Sequence, residues 1–419
     1  MYKDKNYIFN SSGWQVSENL QKKTNSIIAD LKKKREDKKI PIFSIIDSDL
    51  DLEEIIDNAK FFTDTKLKDF VLIGTGGSSL GADSFIQAHK YHHGDKSIGF
   101  HILDNLDPNA VSDIFDVIES STAKFLAVSK SGKTTETIAL LLIVINWLIS
   151  KNIKVEKSIM VMCEENSGEF QELIEIAKEH NLKIVQHQKV GGRFSSLTST
   201  GLLPAAIMGL DPYMIRKFAR DALNNALRNN NFILKSASFA NNLNEKSNLN
   251  CVISYGDALS PLVAWYKQLW NESLGKDSKG TFLLSGKGSL DQHSQLQMWL
   301  DGPNIGNYTF LKVNNNNGYK IPKSEISPWL SGISLGEILN TMAESTYDAL
   351  KENRRAVRSI SIPDISVETI SSLMVTFILE VLVVAELLGV DPYTQDAVEA
   401  IKINTFKRLK NYEYNKKTT

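Results

Sequence analysis

Near residue 270, Trp270-Asn271-Glu272-Ser273-Leu274-Gly275-Lys276 sets a carboxylate at the end of a largely apolar and aromatic stretch, Pro261 to Trp270. Apolar walls disfavour the charged form of a carboxyl, so Glu272 is a candidate general base, although an ordinary glutamate in a helix's last turn reads the same way. A second cluster, Val190-Gly191-Gly192-Arg193-Phe194-Ser195-Ser196, lets backbone approach a ligand while a permanently charged guanidinium projects into the site. A third, Ser289-Leu290-Asp291-Gln292-His293-Ser294-Gln295, is a polar entry to a helix whose His293 could carry a proton near neutral pH.

Two further segments suit an anion. Phe70 to Ile73 runs into Gly74-Thr75-Gly76-Gly77-Ser78-Ser79-Leu80-Gly81, a glycine-rich turn that presents backbone N–H groups at the start of a helix. The dinucleotide fingerprint would need glycine at position 79, where Ser79 stands. Phe125 to Val128 runs into Ser129-Lys130-Ser131-Gly132-Lys133-Thr134-Thr135-Glu136-Thr137, whose crowded hydroxyls could surround a phosphate monoester, with Lys130 or Lys133 supplying charge. Helix capping by Ser131 or Thr134 would account for only one residue of that cluster. Its Gly-Lys-Thr is the tail of a nucleotide-binding P-loop, but the first glycine of that motif is replaced by Ala127.

The elements that position these residues follow from the apolar pattern. From about residue 68, short apolar runs alternate with amphipathic stretches: Phe70 to Ile73, Ser79 to Tyr91, Gly99 to Leu103, Asn109 to Ile118, Phe125 to Val128, Thr134 to Ser150. This βαβαβα order predicts a parallel, doubly wound α/β sheet with both loops at the C-terminal ends of its strands. A second series has strands Asn250 to Tyr255, Thr281 to Ser285, Thr309 to Val313 and Val357 to Ile362, with helices Leu259 to Glu272, Gln292 to Leu300, Leu335 to Asn353 and Val367 to Leu388. The expected organisation is an N-terminal helical segment at 1–65, α/β domains at 66–215 and 216–389, and a C-terminal helical segment at 390–419 that folds back over a cleft. Lys32 to Arg35 and Asp47 to Asp57 read as solvated helix faces, and Asn314 to Gly318 as an exposed turn.

With 419 residues and 42% apolar composition the chain can bury a large core, and a net charge of −1 excludes the chain-wide basic field that nonspecific nucleic-acid binding needs. Cys163 and Cys251 lie far apart without metal-ligand spacing, which points to reduced core thiols and a cytoplasmic location. No secretory h-region is visible at Met1 to Asn10. Glu380 and Glu386 interrupt the most apolar run, so it reads as a buried helix rather than a membrane span. His89, His92 and His93 have helical spacing but sit at a polar helix end, and no metal is expected there.

Taken in order, the two phosphate loops, Gly191 to Pro204, Asn271 to Lys276, Asp291 to Gln297 and Asp391 to Lys402 resemble phosphoglucose isomerase in its shorter bacterial form, over about residues 70 to 405. The resemblance implies two sugar-isomerase (SIS) type domains, a homodimer, a sugar-phosphate substrate, interconversion of glucose 6-phosphate and fructose 6-phosphate, and no metal or organic cofactor. Carried over by position, it puts the substrate on Gly77, Ser78, Ser129, Lys130, Ser131 and Thr134, with Gln395 close by. Arg193 would stabilise the enediolate, Glu272 would move the proton between C2 and C1, and His293, supplied by the partner subunit, would open the ring with Lys402.

Three departures bear on these roles. Asp291 stands where the family has glycine before Gln-His, Asp396-Ala397 and Ile401 replace Pro-Gly and a later glycine near Lys402, and Leu274 replaces asparagine. Lys407 is therefore an alternative to Lys402, and use of mannose 6-phosphate stays open. A sugar-phosphate-sensing regulator would keep the phosphate loops but add a DNA-reading helix. No such helix is evident in the N-terminal segment, and Glu272 and His293 are both present.

Overall fold

The computed structural model describes residues 2–3, 8–12, 17–63, 66–93, 97–165, 170–228, 233–236, 239, 248–314 and 318–418. Asn315 to Asn317 of the expected turn Asn314 to Gly318 and the side chains of His92 and His93 lie outside the described residues.

Strands β3 (Asp69–Ile73), β4 (Gly99–Leu103), β5 (Ala123–Val128), β6 (Ile159–Cys163) and β7 (Lys183–Gln186) form a parallel sheet ordered β4-β3-β5-β6-β7. Alternate residues feed two cores: Phe70, Leu72, Leu126 and Val128 pack on one face, and Val71, Ile73, Phe125 and Ala127 on the other. That two-sided burial is why the central strands are continuous apolar runs. Chain order reverses between β3 and β5, and at such a switch point the loops leaving the strand ends diverge to opposite faces and open a crevice. Gly74 and Ser129 begin those loops.

The second sheet is ordered β1-β2-β11-β10-β8-β9, with β8 (Leu249–Tyr255), β9 (Phe282–Gly288), β10 (Gly306–Val313) and β11 (Ala356–Ile362) parallel. Together the sheets give a two-sheet α/β architecture. The N-terminal segment differs from expectation: Tyr2–Lys3 (β1) and Ile8–Ser12 (β2) are strands, and β2 pairs antiparallel with β11, so the segment is not helical throughout. Five residues carry little local strand signal, and the open hydrogen-bonding edge of β11, distant in sequence, decides their conformation. Helices α1 (Glu18–Glu36), α2 (Pro41–Ile46) and α3 (Leu52–Thr63) follow.

Around the sheets lie α4 (Leu80–His93), α5 (Pro108–Val117), α6 (Thr135–Ser150), α7 (Glu172–Glu179), α8 (Ser199–Ile207), α9 (Pro212–Arg228), α10 (Ser260–Leu274), α11 (Leu296–Asp301), α12 (Leu335–Glu352), α13 (Val367–Leu388) and α14 (Asp396–Thr418). The expected helix Gln292 to Leu300 is split into a 3-10 turn, Leu290–His293, and α11. The acidic run is more than a solvated face, because Asp51 meets the fully buried Arg216 of α9 at 2.9 Å and Asp49 meets Arg220. α13 has the length and composition of a membrane span, yet it lies inside the core, where Glu380 is paired with Arg358 of β11 at 2.8 Å. α10 packs across α4, so the helix that carries Glu272 in its last turn abuts the first sheet's glycine-rich loop.

Candidate active site

The glycine loops come first because their small residues allow the close approach on which the rest is built. A Cβ on Gly77 would lie 2.2 Å from the carbonyl carbon and oxygen of Gly192, so the turn after β3 and the Gly191 to Arg193 turn touch backbone to backbone. Ser195 locks them, its hydroxyl donating to Gly192 O at 2.7 Å and Gly77 O at 3.3 Å. Gly76, at φ +57°, adopts the left-handed conformation that glycine takes without strain, and a Cβ there would strike Gln268 of α10.

Arg193 is 2% exposed and uses all five of its N–H groups. Nε donates to Ser273 Oγ at 2.8 Å, and Nη1 to Glu272 Oε2 at 3.3 Å and Gln395 Oε1 at 3.0 Å. Nη2 donates to the carbonyls of Thr394, at 2.9 Å, and Pro392. Trp265 Nε1 holds the Arg193 carbonyl at 3.1 Å. Burial lowers the guanidinium's pKa, and the Glu272 carboxylate beside it opposes that shift. One side chain thus joins the first sheet's loop, the end of α10 and the segment leading into α14.

Glu272 keeps 30% of its side chain exposed, so the carboxylate borders open space instead of being sealed in. Its second oxygen accepts from Gln268 Nε2 at 3.0 Å. Lys276 closes the helix end by donating to the carbonyls of Glu272 and Ser273 at 3.0 Å. Gln268 did not stand out in the sequence, although its signal is simple: four residues before a carboxylate on a helix, it shares that carboxylate's face.

On the neighbouring strand end, Ser129 is buried and its hydroxyl shares a 2.8 Å hydrogen bond with Thr134. Thr134 is the N-cap of α6, yet its side chain makes no capping bond, and the capping alternative fails for this residue. α6 therefore begins with its N-terminal dipole uncapped by Thr134, beside two hydroxyls. Lys130 is half-buried and faces Glu164 at 3.6 Å, while Ser131 is exposed. Ser78 packs close to Gly74, whose missing Cβ would also meet Val128 O at 3.1 Å, so the loops after β3 and β5 adjoin.

The structure brings Gly77, Arg193, Glu272 and Gln395 into one bonded cluster, and Ser78, Ser129 and Thr134 onto adjoining loops. His293 stands apart, exposed and without a hydrogen-bond partner among the described residues. Lys402 and Lys407 are exposed on α14. Asp291 takes a local role, accepting from Lys287 N at 2.6 Å and Ser294 Oγ at 2.9 Å, while Gln292 donates to Tyr255 Oη and Thr346 Oγ1 at 2.7 Å.

A family model described as phosphoglucose isomerase matches residues 45–318. The chain is 32% identical over 357 residues to the glucose-6-phosphate isomerase of Rubrobacter xylanophilus, covering 81% of this chain and 82% of that one. Among solved structures, a hypothetical protein from Thermus thermophilus superposes with a TM-score of 0.85 at 27% identity, covering 96% of this chain and 99% of that one. A glucose-6-phosphate isomerase from Chlamydia trachomatis has the same fold, with a TM-score of 0.79 at 18% identity and coverage of 98% and 90%. The glycine-locked loops, the arginine that joins them to a carboxylate and these likenesses agree: the chain belongs to the phosphoglucose isomerase family.

Proposed function

We propose that the protein is a glucose-6-phosphate isomerase acting on an open-chain sugar phosphate held by Gly77, Ser78, Ser129, Lys130, Ser131 and Thr134. The observation that carries this reading is the Arg193–Glu272 contact beside the adjoining phosphate loops. Glu272 removes the proton from C2 of the aldose, the electron pair moves into an enediolate, and the same carboxyl returns the proton to C1 as a hydroxyl proton passes between O1 and O2. Arg193, fixed by three acceptors besides Glu272 and Gln395, stabilises the enediolate charge without reorganising. Its Nη1 bond to Glu272, the longest of the five, is the one exchanged for substrate oxygens. The reaction is redox-neutral and needs no external oxidant or reductant.

Ring opening falls to His293 of a second copy, with Lys402 from the C-terminal segment, and Gln395 orients the substrate. A homodimer is supported by the exposed Phe282 and Leu284 on the edge strand β9, and by Leu290 and Met298 flanking the exposed His293. The domains are 66–215 and 216–389, with 1–65 and 390–419 as flanking segments. A cytoplasmic location is supported by two buried cysteines that remain unpaired.

The test is conversion of fructose 6-phosphate to glucose 6-phosphate by the full chain, without added metal or nucleotide. Glu272→Gln should remove nearly all turnover and spare binding of a phosphorylated sugar acid. Mixing Glu272→Gln with His293→Ala chains should recover activity that neither parent has, because mixed dimers contain one intact site. Sugar-phosphate binding without turnover in the wild type would overturn the assignment, and full activity in Glu272→Gln would remove the base.

A further inference from the structure

The loop Ser129 to Thr135 must hold its shape for a phosphate to meet its hydroxyls together, and three successive carbonyls of that loop are tied to the segment after β6. Lys130 O accepts from Glu164 N at 3.0 Å, Ser131 O from Gln171 Nε2 at 2.9 Å, and Gly132 O from Leu173 N at 3.0 Å. Two of these donors are main-chain groups. Only the middle one is a side chain, and that side chain is 3% exposed.

We infer that Gln171 is a positioning residue for the phosphate loop, acting through the Ser131 carbonyl to keep the loop in its phosphate-receiving shape. Gln171 sits at the N-cap of α7 but does not cap it. Its amide turns back and spans two carbonyls, Ser131 O and Glu164 O, each at 2.9 Å, with Cys163 Sγ at 3.4 Å. The loop is built around this residue: Gly132 has φ +65°, and a Cβ there would lie 2.8 Å from Cys163 Sγ and 3.0 Å from Gln171 Cβ. Glu164, whose carbonyl takes the amide's other N–H, also faces the Lys130 ammonium. With the carbonyl side anchored, the opposite side, where Ser131 and Lys133 are exposed, is presented to the ligand.

Gln171 acts on the loop through the Ser131 carbonyl, so its loss should weaken phosphate affinity and leave the chemical step alone. The inference rests on the isomerase reading for its substrate but is tested separately, with inorganic phosphate as the probe. In the full chain, Gln171→Leu should raise both the KM for fructose 6-phosphate and the Kd for inorganic phosphate by about tenfold, or about 1.4 kcal/mol. Turnover number should stay within about twofold, the split expected when uniform binding is lost. Gln171→Met, close in volume and with no N–H for either carbonyl, should behave alike. It also serves if the leucine variant fails to fold.

A folded variant with wild-type phosphate affinity, or with its loss confined to kcat, overturns the assignment, as does a wild type that does not bind phosphate. If the wild type binds phosphate but turns over no sugar phosphate, the isomerase reading fails, and the phosphate Kd of wild type against that of Gln171→Leu still decides the role of Gln171.

Discussion

Gly77→Ala isolates the contact on which the site is built. The backbone at Gly77 lies outside the left-handed region, so alanine meets no conformational obstacle there, and its effect comes from space alone. The new Cβ would stand 2.2 Å from the carbonyl of Gly192, against 3.4 Å for ordinary contact, so the two turns must part by about 1.2 Å (3.4 − 2.2). Because Arg193 follows Gly192 directly, its guanidinium shifts relative to the loops after β3 and β5. A displacement of about 1 Å in a positioned group costs about 100-fold in rate, and forced overpacking costs about 1–3 kcal/mol of stability. Coupled spectrophotometric assay of fructose 6-phosphate conversion should therefore show kcat/KM about 100-fold down, in a variant whose circular dichroism remains native. Gly191→Ala is the control, since its Cβ would rest 3.5 Å from Phe194 and should leave activity within about threefold. Near-wild-type activity in Gly77→Ala, or equal losses in both variants, would refute the argument.

Arg193→Lys supplies three donors where five are used, so two acceptors lose their partner; kcat/KM should fall about 100- to 1000-fold, and limited proteolysis between Asp391 and Asp396 should quicken as the C-terminal segment loses its anchor. Unchanged proteolysis would show that the segment is held by other contacts. The core pair should behave differently from a surface ion pair: Arg358→Met alone strands Glu380 in the interior and should cost about 3–5 kcal/mol in urea unfolding, whereas Arg358→Met with Glu380→Leu should recover most of that loss. A single variant as stable as the wild type would contradict this.

The parallel strands of the two sheets, the loops that leave β3 and β5 and the buried character of α13 were legible in the sequence because each follows from local pattern: apolar runs of strand length, glycine and hydroxyl clusters between a strand and a helix, and glutamates interrupting an otherwise apolar helix. Other features depended on partners far away in the chain. Five residues at Ile8–Ser12 became a strand because β11 offered an edge, and Asp51 became part of a buried ion pair because α9 brought Arg216 to it. The same distinction runs through the site. Its residue types and the likeness of its motifs pointed to Arg193, Glu272 and the Ser129 to Thr135 loop, since chemistry constrains which side chains can occupy such positions. That Arg193 joins Glu272 to the Pro392 to Gln395 segment and that the Gln171 amide reaches the Ser131 carbonyl are long-range hydrogen bonds, whereas Gln268 meets Glu272 one turn away on the same helix. Only the packing of one sheet's loops against the other's helix decides which donors and acceptors come within 3 Å, and no local pattern encodes a partner 79 or 202 residues away.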